Sequence, residues 1–527
     1  MKKFAFVAAL SVCAVTLISV APAANMPKPD ESKRIAPATK MEAKTSAVRT
    51  QEQMDAFDAT YVDPGQVREI GVRPTMDEAQ YAQLKRAANL AARTASRPGV
   101  LLPDSPLAVV TKKFGGATEC TPDGLCWTPP DVAGAIGKTQ FVSVSNNVIQ
   151  VRTKGGALQK NISLNSLFGY STQSMFDPRV QYDEEYQRWI VTADAFPESG
   201  TVQIFGIAVS LTNSATGSWY IYLLNTNSFE GAGAFYDFPM LGMTQDALTF
   251  TSNVFNPGFV GSTLFSVAKA RVYNGFGFSV PVFEGLTGTM QTAHQLLTDQ
   301  NGYAWFAAAP GNSGTIQMLA ESFPANPGQT GLFGYYSVSG VAAYSIPPSA
   351  AQPAGCGGAT LDSLDNRFQN AGTQSGDVYY QVHTVADVTA TVKYYVISGL
   401  SSFAPTVALT NYVYKTGTSS DWNPSIAADP EGRFGLDWSV TDTAVMPSEY
   451  FADNNGSNPG PGSGIDVLTG ASCYNSGSPQ RWGDYSQVSV DPGQGTVSNT
   501  NTGIFWGVNE IVPALNSWGT EIGKITY

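Results

Sequence analysis

Residues 423–439 read NPSIAADPEGRFGLDWS. Two short apolar runs flank the tetrapeptide Asp-Pro-Glu-Gly. Asp429, Pro430 and Gly432 hold the first, second and fourth places of a type I turn. The Asp side chain accepts local backbone N–H bonds, Pro presets φ, and Gly relieves the exit. The stretch therefore predicts a β-hairpin, and the same frame recurs along the chain. It is found in FDPRVQYDEEYQRWIVTAD (176–194), YDFPMLGMTQDALTFTSN (236–253) and AHQLLTDQNGYAWFAAA (293–309). It returns with longer turns in LDSLDNRFQNAGTQSGDVYYQVHT (361–384) and DYSQVSVDPGQGTVSNTNTGIFWGVNE (484–510). A looser first copy is PPDVAGAIGKTQFVSVSN (129–146). Seven copies, with starts roughly 45–70 residues apart, suit four-stranded blades with long loops. The expectation is an all-β chain forming a seven-bladed β-propeller. Six or eight blades stay open, and a β-sandwich or β-helix is the next alternative.

The last copy tests that count. After Glu510 only WGTEIGKITY (518–527) remains, so the seventh blade is a strand short. An open ring would expose edge strands. LAVVTKKF (107–114) is an unassigned upstream strand, expected to complete the last blade and close the ring.

What precedes residue 101 has a different texture. Lys2 and Lys3, an apolar run from Phe4 to Val20 and Ala21-Pro22-Ala23 read as a secretory signal peptide over 1–24. Residues 25–74 are polar and lack clear periodicity, which predicts a flexible segment or pro-region. Thr75-Met-Asp-Glu78 is a capping-box pattern opening an Ala-rich helix, with Leu84, Ala88 and Ala91 on one face and Pro98-Gly99 as the stop. The domain division expected is therefore 1–24, 25–100 and a propeller over 101–527.

Charge and cysteines narrow the setting. The whole chain has 30 basic and 42 acidic groups. Residues 1–24 hold two lysines, and residues 25–113 hold 14 basic and 11 acidic groups. That leaves 14 and 31, a net charge of −17, for residues 114–527. Such a balance lacks the basic footprint of nucleic-acid binding. It permits calcium, neutral or cationic glycans, or a basic protein. Beyond the signal, four cysteines suggest two disulfides in an oxidising compartment. Cys120–Cys126 closes a small loop and leaves Cys356 with Cys473.

Five segments, in this order, carry a resemblance: PPDVAGAIGKTQFVSVSN, FDPRVQYDEEYQRWIVTAD, LDSLDNRFQ, NPSIAADPEGRFGLDWS and RWGDYSQVSVDP. As an ordered set over 115–527 they resemble a group of secreted bacterial β-propeller proteins. The resemblance implies secretion and a propeller, and no particular reaction. Sialidase Asp boxes space Asp and Gly as D-x-G, whereas Asp429/Gly432 and Asp299/Gly302 are spaced D-x-x-G. No arginine triad or Tyr/Glu nucleophile pair stands out.

If each copy is a hairpin, its two ends meet opposite the turn, at one mouth of a central channel. Pairing about the turn sets Asp177 near Asp194, Asp237 near Asn253, His294 near Ala309 and Asn423 near Ser439. It brings Asp484 towards Glu510, and Asp362 towards His383 or Thr384. The expected site is thus an acidic channel mouth, a position assigned by analogy between folds. Its ligand-binding candidates are Asp177, Arg179, Asp194, Asp237, His294, Asn423, Arg481, Trp482 and Tyr485. Trp482 and Tyr485 are the candidates for stacking a ligand. Asp177, Asp194, Asp237 and Asp484 are candidate calcium ligands. If the protein is an enzyme, Asp362, His383, Asp484 and Glu510 are the candidate acid–base groups. The functional expectation is a monomeric, secreted or periplasmic binding or adhesion module for an extracellular glycan or protein. The alternatives are a glycoside hydrolase or polysaccharide lyase on the same face, and a structural envelope protein. No G-x-S-x-G or H-E-x-x-H motif points to catalysis, so the reading leans away from an enzyme.

Overall fold

The computed structural model describes residues 28–526 apart from 64–66, 94–96, 98–107, 122–124, 147, 297–301, 313, 456, 478 and 494–502. The signal-peptide reading and most of the Asp299 turn lie outside the described residues. The chain is all-β, built from antiparallel sheets that each follow the chain in order. Ala133–Ile136, Gln140–Ser145, Val148–Thr153 and Leu158–Ile162 make the first. The second runs from Met175–Asp183 to Trp219–Asn225, and the third from Phe235–Met243 to Phe278–Leu286. The fourth contains Tyr303–Ala308, Gln317–Ser322 and Gly331–Ser337. The fifth runs from Gly372–Ser375 to Thr406–Val413, and the sixth from Ser420–Ala428 to Ile465–Leu468.

The seventh sheet has Gln487–Val490, Phe505–Ala514 and Ser517–Thr526, and its fourth strand is Val109–Thr118. The pairing is antiparallel, with Gly523 opposite Lys113 and Ile522 opposite Phe114. The first and last β-segments of the 109–526 region thus share one sheet.

Both faces of each sheet are buried, which is why second strands such as RWIVTADA read as nearly continuous apolar runs. In that strand Trp189, Val191 and Ala193 pack towards the first sheet, and Ile190 packs towards the third. The same division repeats at every junction. Apolar layers join sheets 1–2, 2–3, 3–4, 4–5, 5–6, 6–7 and 7–1. Trp189, Trp305, Trp438 and Trp506 are each at most 1% exposed and sit in these layers, one per junction.

The hairpin turns show why their acids are there. In 429–433, Asp429 Oδ1 accepts from Glu431 N (2.9 Å) and Arg433 N (3.0 Å), and Gly432 takes φ of 79°. Its Oδ2 accepts from Gly503 N of the next sheet at 2.9 Å. Asp183 does the same. Oδ1 accepts from Glu185 N and Tyr186 N, and Oδ2 meets Tyr273 OH (2.6 Å) and Lys269 Nζ (2.7 Å) of the third sheet. Asp491 caps its turn through Gly493 N and pairs with Lys154 Nζ of the first sheet at 2.6 Å. One carboxylate therefore shapes a turn and ties it to the neighbouring sheet.

The fourth repeat departs from the hairpin expected over 293–309. Gln291 pairs antiparallel with Ala307, but Ala293–Gln295 then bonds to the parallel first strands of the third and fifth sheets, with Met243 and Thr373 flanking His294.

Residues 28–49 also depart from the flexible segment expected. Arg34–Ile35, Thr39–Ala43 and Ala47–Arg49 add in turn to the outer edges of the fourth, third and second sheets. A polar sequence is sufficient here, because an edge strand needs backbone hydrogen bonds and only one buried face. Met41 supplies that anchor at 3% exposed. The segment then forms the helix Gln51–Asp58 and the helix Glu78–Ala92. The cap of the second is Asp77, whose side chain accepts from Gln80 N, not Thr75. Thr75 Oγ1 is engaged elsewhere, donating to Asp365 Oδ2 at 3.2 Å.

Candidate functional site

Each sheet's first strand packs beside the first strand of the next, with Ala293–Gln295 standing in the fourth position. Gln487–Val490 lies against Ala133–Ile136. These strands line a narrow tube with a cavity volume of about 80 Å³. Its walls include Val180, Leu241, Ala371, Ile426 and Val488. Arg179 and Asn370 stand at one end, and Glu184, His294, Pro430 and Pro492 at the other.

At the Arg179 end the strand starts share a backbone distortion. Asp131, Asp177, Phe238, Leu364 and Asn423 have φ of 48°, 52°, 59°, 52° and 52°. Asp and Asn tolerate this left-handed region, whereas Phe and Leu are strained there. In three of the strands the register slips at this point, between Phe176/Arg179, Asp237/Met240 and Trp422/Ser425. The proline carbonyls that follow find partners across the tube. Arg179 Nε donates to Pro239 O (2.9 Å) and Asn370 Nδ2 to Pro424 O (2.8 Å).

This end is sealed. Arg481 Nη1 donates to Asp362 Oδ2 (2.9 Å), Nη2 to Asp484 Oδ1 (2.6 Å) and Nε to Ile70 O (2.9 Å). Arg367 grips Asp365 through two bonds of 2.7 and 2.8 Å and donates to Arg73 O. Tyr485 OH donates to Asp177 Oδ2 at 2.6 Å, and Arg179 lies over the Tyr485 ring at 3.3 Å. Asp131 accepts from Asn146 Nδ2 and Asp484 N. The N-terminal segment covers this network. Lys85 of the second helix donates to Ser363 Oγ (2.8 Å) and Leu364 O (2.6 Å). Burial pushes its ammonium down to about 8.

The predicted mouth residues are therefore brought together, but as a buried hub. Asp177, Arg179, Asp194, Asp237, Asn423, Asp362, Arg481, Trp482, Tyr485 and Glu510 are all at most 8% exposed. Trp482 packs edge-on against Trp422 and donates to Ser439 Oγ, so neither it nor Tyr485 presents a face for stacking a ligand. Asp237 does sit opposite Asn253. The Asp362–His383 pair does not form. His383 bridges Asn366 O and Tyr395 OH, because residue 383 pairs with Phe368 rather than the strand start. Burial pushes it down to about 3, leaving it neutral. His294 is at the opposite end from Asp177, since it is level with Met243, the last residue of the third sheet's first strand. Burial, and then Lys269, push His294 down to about 4. Among the described residues no three His, Cys, Asp or Glu side chains converge as a metal site. Asp484 and Asp177, two of the four named for calcium, have Arg481 and Tyr485 as partners.

Sequence reasoning missed Asp131, Gln369, Asn370, the Asp365–Arg367 pair and Lys85. Asp131 had a signal, since PPDV places it at the station of Asp177 in FDPR. Lys85 had none, because a lysine on a helix is ordinarily read as solvated.

Several acids in and near this region are held protonated by burial. Asp131 is pushed up to about 7 by burial and then by Asp484. Glu510 is pushed well up by burial and then by Asp131, and neither of its oxygens has a hydrogen-bond partner. Asp194 is raised by burial and then by Asp237. Between the sixth and seventh sheets, burial pushes Asp437 up to about 7, and burial with Asp437 pushes Glu449 well above its ordinary value. Both are 0% exposed. The native state thus keeps protons that the unfolded chain releases above about pH 4. Stability should therefore fall as pH rises from about 4 towards about 7. Urea midpoints should be lower at about pH 8 than at about pH 5, and Glu449→Gln should flatten that difference. A midpoint that rises with pH would show these acids to be ionised in the native state.

The disulfides Cys120–Cys126 and Cys356–Cys473 are both present. No described helix is long and apolar enough to cross a membrane. No protein-family model matches the chain, and no curated protein matches it by sequence. Among solved structures it is similar to an exo-β-1,3-galactanase from Phanerochaete chrysosporium with galactose. That likeness has 10% identity, covers 79% of this chain and 99% of the other, and has a TM-score of 0.31. A Saccharomyces cerevisiae Dbp5 structure bound to Nup159 and Gle1 matches at 9% identity, over 80% and 95%, with a TM-score of 0.35. A Synechocystis apocarotenoid oxygenase mutant matches at 10% identity, over 61% and 68%, with a TM-score of 0.34. Likenesses this remote carry no argument about what this chain does.

Proposed function

We propose that this protein is a secreted seven-bladed β-propeller, closed by strand 109–118, that acts as a binding module for an extracellular glycan or protein. The circuit of first strands and the seven apolar layers between successive sheets support the propeller. One observation carries the choice of binder over hydrolase. The acids expected to do chemistry are paired with arginines or tyrosine, or buried without solvent, beneath residues 70–85. Glycoside hydrolysis needs two carboxyls flanking an accessible bond. The ligand then meets the opposite, turn-side end, where Glu184 and His294 border the tube. An acidic body of net −17 suits a neutral glycan or a basic protein surface.

The hydrolase reading has one observation in its favour: Asp131 and Glu510 are raised as a general acid must be. It requires residues 70–85 to be displaced. A polysaccharide panel separates the two. Saturable binding without product release, weakened at least tenfold in Glu184→Ala, is the expected result. Turnover of any polysaccharide, lost in Glu510→Gln, would replace the binder with the hydrolase.

A further inference from the structure

Arg179 is 4% exposed and stands at the closed end of the tube. All its hydrogen-bond partners among the described residues are neutral: Pro239 O, Asn370 Oδ1, Gln369 O and Met240 Sδ. A buried guanidinium ordinarily has a carboxylate against it, because an unpaired buried charge is costly. Arg481 and Arg367 of the same hub follow that rule. Arg179 does not. Its flat face is covered by the Tyr485 ring, whose hydroxyl bonds Asp177. Burial pulls Arg179 below the usual guanidinium range and outweighs the opposing pull of Tyr485, Asp177, Asp131 and Asp484, none of which forms an ion pair with it.

The other side of Arg179 faces the tube. From Arg179 to Glu184 the strand advances about 17 Å at about 3.3 Å per residue. Val180, Leu241, Ala371, Ile426 and Val488 supply apolar walls. A cation at the blind end of a narrow, low-dielectric passage attracts a small anion strongly, because little water competes there. The tube's room, about 80 Å³, is that of several waters at roughly 10–15 Å³ each, enough for a small anion.

We propose that the axial tube is a binding site for a small monovalent anion, a halide or a short monocarboxylate, seated against Arg179 and reached from the turn-side end. The site is separate from the outer surface that a glycan or protein would meet, and its test uses neither ligand.

The test uses the full chain at constant ionic strength, exchanging gluconate for bromide or for acetate. Bromide, acetate or both should raise the melting temperature by several degrees in a saturable way. Which of them does so identifies the source of the anion. A crystal grown in bromide should show its anomalous peak within contact distance of the Arg179 guanidinium. Arg179→Met should abolish the rise. Since that variant also disturbs the hub, Ala371→Leu provides the second arm. It narrows the tube without touching Arg179, and should abolish the rise while leaving the melting temperature in gluconate within a few degrees of the parent. An undiminished rise in Ala371→Leu, anomalous peaks on the outer surface only, or no rise with either anion would overturn the proposal.

Discussion

Arg481→Met is expected to destabilise the protein by about 3–5 kcal/mol, the range for breaking a buried ion pair by removing one partner. Arg481 joins three parts of the chain. It holds Asp362 from the loop before the fifth sheet, Asp484 from the start of the seventh, and the Ile70 carbonyl of the N-terminal segment. The Arg481 and Asp362 side chains are 6% and 3% exposed. Methionine fills much of the space but leaves the Asp362 carboxylate in a low-dielectric interior without its cation. Adding Asp362→Asn should recover part of the loss, since the stranded charge is then gone. Arg34→Met is the control. It removes the Arg34–Glu31 pair, whose side chains are 48% and 73% exposed, and should change stability by less than about 1 kcal/mol. Denaturant midpoints of the three variants, against the parent, report these effects. Equal losses for Arg481→Met and Arg34→Met would mean that the sealed end is hydrated.

The second large effect belongs to Cys356–Cys473. This bond spans 117 residues, and Cys120–Cys126 spans 6. Loop-closure entropy assigns about 5 kcal/mol to the first and about 2 kcal/mol to the second. The long bridge also sits in a stitched seam. Gln352 Nε2 donates to Tyr474 O while Tyr474 N donates to Gln352 Oε1. Asp362 N donates to Gln480 O while Gln480 N donates to Thr360 O. That seam places Arg481 opposite Asp362. The Cys356→Ala/Cys473→Ala pair should therefore lose more stability than Cys120→Ala/Cys126→Ala, and should bring the effect of Arg481→Met down with it. Equal losses for the two double variants would show that residual structure in the unfolded chain, rather than loop length, sets the contribution.

The two variants probe different depths of legibility. The hairpin NPSIAADPEGRFGLDWS specifies itself locally. Its turn is set by Asp429, Pro430 and Gly432, and its strands by side chains two residues apart, so the repeat could be read from the page. The structural use of the turn acids was legible for the same reason, as was the missing fourth strand of the seventh sheet. The polar groups at the strand starts were legible as a set, because they recur at one station. Their partners were not. Arg481 and Asp362 are 119 residues apart, and Tyr485 and Asp177 are 308 apart. No local pattern distinguishes an acid open to a ligand from one that meets an arginine of another sheet.

Sequence alone determined the all-β class, the repeating hairpin and which residues stand at its ends, since these follow from short-range sterics and alternation. Tertiary structure alone decided that residues 34–49 serve as edge strands, because a polar segment pairs by backbone groups that every sequence carries. It also decided that residues 70–85 lie over the strand starts, that His294 falls at the far end of the tube and that Arg179 faces a narrow passage without a carboxylate beside it. Each depends on which distant surfaces exclude water together, and burial of that kind is a property of the assembled interior rather than of any stretch of chain.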